Sequence, residues 1–123
     1  MGQGVGETWM DEGQPDGRFI PVARLTALDA RGRAVVQVGD TRVALVRVDG
    51  QLHALEDTCP HRGGSLHEGD LEGTLLHCPL HAWPFDVRTG LCPWRPDAKV
   101  RIYDVLVRGG EILIAASDRV PGR

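Results

Sequence analysis

Two short stretches carry the residues best suited to chemistry, Cys59-Pro60-His61 and Cys78-Pro79-Leu80-His81. Each holds one thiol and one imidazole, and sixteen residues separate His61 from Cys78. Thiolates are soft ligands that suit zinc, copper(I) and iron–sulfur clusters, while imidazole suits zinc and iron. The common zinc-finger order places both cysteines ahead of both histidines. Here each half mixes one of each. That order fits a binuclear cluster in which one iron takes both cysteines and the other takes both histidines. A mononuclear Cys2His2 zinc site is the competing reading of the same four residues. Pro60, Pro79, Gly63, Gly64 and Gly69 surround them. Proline fixes φ and glycine permits left-handed turns, so these residues suit rigid loops whose N–H groups can face sulfur.

The elements that must carry such loops read as strands. Phe19–Leu28 mixes apolar and polar residues as an edge strand would, with Pro21 tolerated there. Ala34–Val38 is β-branched, Gly39-Asp40 turns, and Arg42–Val48 continues. Asp49-Gly50 is a strong hairpin signal, and Gln51–Leu55 is the return strand. Three strands in meander order are expected. Asp57–Ala98 breaks this rhythm and holds both half-sites, with short strands expected at Leu75–His77 and Pro84–Asp86. Arg101–Val107 alternates, Gly109-Gly110 turns, and Glu111–Ala116 closes the chain's ordered part. No stretch has a long helical period. The fold class expected is all-β, in small antiparallel sheets with loops carrying the function.

The stretch from Thr58 to Gly90 resembles a Rieske-type ferredoxin. The resemblance rests on Thr-Cys-Pro-His-Arg-Gly-Gly-Ser-Leu, on Cys-Pro-Leu-His-Ala-Trp-Pro-Phe-Asp, and on the Phe-Asp-x-x-Thr-Gly turn that follows. It extends more weakly over about Phe19 to Ala115. It implies a base domain with an inserted cluster-binding subdomain, and one [2Fe–2S] cluster per chain. Residue by residue, it implies that Cys59 and Cys78 bind the inner iron and that His61 and His81 bind the outer one. The domain layout it suggests is a tail at 1–17, a Rieske domain at 18–116 with its cluster subdomain at 57–98, and a tail at 117–123.

The chain has 123 residues, 41% hydrophobic and 25% charged, as one soluble domain would. No apolar run approaches the ~18 residues of a membrane helix. The first residues lack the basic and apolar regions of a signal peptide. The expectation is a cytoplasmic protein. Three cysteines, two of them committed to the cluster, leave no disulfide to form and fit a reducing compartment. Cys92 is read as a small apolar residue in a packed loop. Net charge is −3, made of −4 in residues 1–17, −3 in 57–98 and +4 elsewhere. No basic stripe suggests nucleic acid.

The remaining candidates are weaker. His53 reads as a surface or packing residue. His67 lies near the site but outside the motif, and alternation aims His77 away from the Cys78 thiolate. Trp83 and Phe85 read as a dry wall beside the cluster and as core filling, and Trp94 reads as packing. Ser65 and Arg62 are candidates to donate near sulfur or to touch a partner.

The resemblance implies a soluble one-electron carrier, monomeric when isolated. It would be fed by a flavoprotein reductase and would deliver to the terminal oxygenase of a ring-hydroxylating system. The alternatives are a small Rieske subunit of an NAD(P)H nitrite reductase-like complex, or a zinc-stabilised interaction module. No catalytic residue and no substrate pocket are expected, since too little chain follows Ala98 to house a 2-His-1-carboxylate oxygenase site. High-potential members of the family have a disulfide joining the cluster loops and Ser and Tyr hydroxyls aimed at sulfur. The matching positions here are Gly64 and Leu80, Trp83, and Phe85. The resemblance therefore implies a low potential and loops held by packing and backbone hydrogen bonds alone.

Overall fold

The computed structural model describes residues 19–60, 63–80 and 82–115. These form strands and two 3-10 turns, with no α-helix among them, and no helix is long and apolar enough to cross a membrane. The expected tails at 1–17 and 117–123 lie outside the described residues.

Strand β1 (Phe19–Arg24) is an edge strand, as Pro21 requires, and its ladder slips between Pro21 and Ala23. It stops four residues earlier than expected, because Leu25–Ala27 turns into a 3-10 helix. The meander appears as β2 (Arg33–Val38), β3 (Thr41–Val48) and β4 (Gln51–Glu56). Asp49 and Gly50 both have positive φ, 52° and 80°. That is the type I′ geometry whose twist matches a hairpin, and it sets the β3–β4 register from Val48 opposite Gln51 to Val43 opposite Glu56.

After β4 the chain leaves the sheet and builds β5 (Leu71–Glu72), β6 (Leu75–His77) and β7 (Pro84–Asp86), which form one small sheet in that order. Then β8 (Leu91–Cys92) and β9 (Arg95–Lys99) form a two-stranded hairpin. The chain returns as β10 (Ile102–Tyr103), antiparallel to β4 at the sheet edge. Everything between β4 and β10 is thus an insertion between two neighbouring strands. The single strand expected over Arg101–Val107 is two. The chain breaks at Asp104 and passes to the other sheet as β11 (Val105–Arg108), paired with β12 (Glu111–Ala115), which also pairs with β1. One strand cannot keep its ladder while changing sheets. Strands β5, β8 and β9 were not expected, since pieces of two to five residues leave little periodicity to read.

The four-stranded sheet is buried on both faces along β3. Along β3, Val43 and Leu45 enter one core with Ala54, Tyr103, Ile112 and Ile114. Ala44, Val46 and Val48 enter the other, with Leu55, Leu66, Leu76, Phe85 and both Cys59 and Cys78. A strand alternates its side chains between faces, so Val-Ala-Leu-Val at 43–46 reads as an unbroken apolar run because neither face meets water.

Candidate metal centre

Cys59 ends the segment after β4, and Cys78 follows β6 directly. Both thiols are free and 1% exposed. The two loops close with the same pattern of backbone hydrogen bonds. Cys59 N–H donates to the Gly64 carbonyl at 2.9 Å, and Cys78 N–H donates to the Trp83 carbonyl at 2.9 Å. The Cys59 carbonyl accepts from Gly63 N–H at 2.8 Å, and the Cys78 carbonyl accepts from Ala82 N–H at 2.7 Å. The fifth residue of each loop is left-handed, Gly63 with φ 77° and Ala82 with φ 65°. A non-glycine residue there costs about 1–2 kcal/mol, so the surroundings of Ala82 must hold it. Its N–H is bonded to Cys78, and its carbonyl lies 3.1 Å from His77 Nδ1.

The loops also meet. A Cβ added to Gly64 would lie 3.0 Å from Cys78 Sγ and 3.0 Å from Leu80 Cγ. The glycine leaves the space beside a ligand-type sulfur that a larger residue would fill. His61, Arg62 and His81 lie outside the described residues. Among the described residues no group of three or more metal-type side chains converges. Two buried, unoxidised thiols at equivalent points of paired loops fit the cysteine half of a [2Fe–2S] centre.

Among the described residues around these loops, apolar and acidic side chains are exposed beside Arg42 and Arg95. Pro60, Pro79 and Leu80 are exposed, as are Glu68, Asp70 and Glu72. Trp83 packs partly on the core, with the Arg95 guanidinium 5.1 Å from its ring centre. Phe85 is fully buried. Trp94, expected to pack, is 58% exposed because it sits at the turn of the β8–β9 hairpin. Cys92 is buried as expected. The Phe-Asp-x-x-Thr-Gly stretch is a turn built on Asp86, which bonds the backbone and guanidinium of Arg88 while its carbonyl takes Gly90 N–H. The Arg88 hydrogen bond holds the Asp86 carboxyl below its ordinary pKa.

An open recess of about 660 Å³ lies against Thr74, Leu75, Asp86, Leu91, Cys92 and Pro93. Its lining includes neither Cys59 nor Cys78.

Two histidines that the sequence left idle have definite places. His67 Nδ1 lies 2.9 Å from Asp57 Oδ1, and its N–H donates to the same oxygen at 2.8 Å. His77 reaches the Ala82 carbonyl, and its Nε2 lies 3.3 Å from Glu72 Oε1 without an aligned hydrogen bond. Arg33, only 4% exposed, donates from NH1 to the His67 carbonyl at 2.7 Å and the Gly69 carbonyl at 2.9 Å. Side chains as well as backbone therefore hold the loops, contrary to the expectation. No sequence signal marks pairs ten or thirty-four residues apart. Ser65 Oγ lies 3.4 Å from Arg42 NH2.

The model of the Rieske [2Fe-2S] domain matches residues 18–104. The chain belongs to the Rieske [2Fe–2S] domain family. Among its relatives, the ferredoxin CarAc of Metapseudomonas resinovorans is 38% identical over 88 residues, covering 71% of this chain and 82% of that protein. The ferredoxin component of the alkene monooxygenase system of Xanthobacter autotrophicus is 33% identical over 102 residues, covering 82% of this chain and 84% of that one. A chain in the solved complex of reduced oxygenase and oxidised ferredoxin in carbazole 1,9a-dioxygenase superposes with a TM-score of 0.72 at 31% identity, covering 83% of this chain and 96% of that one. The Rieske family replaces the zinc reading with a [2Fe–2S] cluster.

Proposed function

We propose that this Rieske protein is a soluble, cytoplasmic one-electron carrier, monomeric when isolated, that receives electrons from a flavoprotein reductase and delivers them to a terminal oxygenase. Cys59 and Cys78 hold one iron and His61 and His81 the other. The cluster supplies a site that stores one electron at a time. The observation that carries the ligand assignment is the pair of loops, closed by matching hydrogen bonds, that bury Cys59 and Cys78 at equivalent positions. The layout that goes with it is a Rieske domain at 18–116, its cluster subdomain at 57–98, and tails on either side.

The oxygenase partner is supported by the likeness to a ferredoxin named in complex with an oxygenase. Relatives named as ferredoxin components favour this over a nitrite reductase-like subunit. The exposed Pro60, Pro79 and Leu80 offer the small apolar contact that suits transient redox encounters. The chain's own residues exclude water from the two thiols and hold both loops in one geometry.

The test is anaerobic purification with iron and sulfide analysis, then electron transfer from a reductase to an oxygenase of the ring-hydroxylating type. Two irons and two sulfides per chain are expected, and Cys59→Ser or Cys78→Ser should abolish the visible absorption. Stoichiometric zinc without sulfide would overturn the reading.

A further inference from the structure

We propose that His67 is a positioning residue for the first cluster loop, acting through Asp57, and that Arg33 holds it in place. The proposal rests on the reading of Cys59 as a ligand.

Asp57 lies two residues before Cys59 and is fully buried. A buried carboxylate is stable only when hydrogen bonds replace its lost water. Oδ1 takes both the N–H and Nδ1 of His67, and Oδ2 takes Arg42 NH2 at 3.2 Å. Oδ1 accepts from that backbone N–H, and the tautomer with its proton on Nδ1 donates to the same oxygen. The same segment is closed by its backbone. Leu66 N–H donates to the Asp57 carbonyl at 2.7 Å, Thr58 bridges Ser65, and Cys59 donates to Gly64. The His67 side chain thus locks the base of a hairpin that carries Cys59.

Arg33 fixes the turn that carries His67. From β2 it spends one guanidinium nitrogen on the carbonyls of His67 and Gly69. The same turn also braces the second loop. A Cβ on Gly69 would lie 1.6 Å from the His77 carbonyl oxygen, and His77 N–H donates to the Asp70 carbonyl at 2.8 Å. Residues 66–70 therefore touch the segments that lead into both loops. One histidine reaches each, where no disulfide joins Gly64 and Leu80.

The experiment compares His67→Asn, His67→Gln and His67→Leu in the full, cluster-loaded chain. An Asn amide nitrogen can occupy the Nδ1 position, whereas a Gln amide reaches the Nε2 position and misses Asp57. The readouts are the rate of absorbance loss in chelator and the midpoint potential. Leu and Gln should lose the cluster about tenfold faster than wild type, as losing a buried hydrogen bond predicts. Both should also shift the midpoint, while Asn stays within about twofold in rate. Loss as fast in Asn as in Leu, or wild-type rates in all three, would overturn the proposal. If the Leu variant does not fold, the Asn–Gln contrast decides. Arg33→Met should accelerate loss as well, and adding it to His67→Gln should cost far less than the product of the two effects. Multiplying effects would overturn the role of Arg33. A cluster retained in Cys59→Ser would instead overturn the ligand reading itself.

Discussion

At Gly63 and Gly64, neighbouring glycines have different reasons to be glycine. Gly63 is left-handed with nothing within 4 Å of a built Cβ, whereas Gly64 has no positive φ but faces Cys78 Sγ at 3.0 Å. Leu80 is 63% exposed and can swing aside, while the thiol cannot. Gly64→Ala should therefore lower the iron and sulfide bound per chain, with about 1–3 kcal/mol of lost stability. Gly63→Ala should cost about 1–2 kcal/mol yet keep the cluster, because Ala82 already occupies the equivalent position of the other loop. Thermal melts and metal analysis of the two variants check this. Equal cluster loss in both would contradict it.

At the scale of the strand, β3 and β4 serve two cores at once. Leu45 faces the core shared with β12, and Leu55 faces the core that contains both cysteines. Either residue changed to Ala should cost about 2–5 kcal/mol by the usual cavity effect. Only Leu55→Ala should also speed cluster loss, measured by absorbance decay at a temperature where both variants remain folded. His53 lies on β4 as well, and burial holds its imidazole below the ordinary value despite the nearby Asp86 carboxylate. A lowered folded pKa means that the unfolded chain takes the proton first. Its contribution to stability is therefore complete above about pH 6.5 and is lost as pH falls through that value toward the lower folded one. His53→Gln should flatten the fall in denaturation midpoint between about pH 7 and 5. An unchanged slope would remove His53 from the account.

At the scale of the whole molecule, charge and potential describe the carrier. The segment 57–98 carries a net −3, and Glu68, Asp70 and Glu72 are exposed around the second loop. Electron transfer to a partner with a basic face should slow as salt rises from about 10 to 200 mM, since screening changes strongly over that span. A rate flat across that range in stopped-flow would show that steering is not electrostatic. Rieske centres span about −150 to +300 mV according to the hydrogen bonds, charge and exposure at sulfur. Phe85 is fully buried in the core with Cys59 and Cys78 and brings no hydroxyl to it. The midpoint should fall near or below about −100 mV, and Phe85→Tyr should raise it by about tens of millivolts where the hydroxyl reaches sulfur. Voltammetry giving a wild-type value above about +100 mV would contradict the low-potential assignment.

The sequence alone determined what local chemistry can determine. Ligand-type residues in mixed halves named the cluster class, Asp49-Gly50 placed a hairpin, and β-branched runs placed the meander, because each depends on residues close in the chain. The likeness of the two cluster loops was hidden, since Cys-x-His and Cys-x-x-His differ by one residue while their backbones close at the same fifth and sixth positions. The break at Asp104 was hidden too, because which sheet a strand joins depends on partners far along the chain. Only the tertiary structure gave His67, His77 and Arg33 their work. Their partners include a buried carboxylate and backbone carbonyls brought close by folding, and a carbonyl leaves no mark on the identity of the residue that carries it.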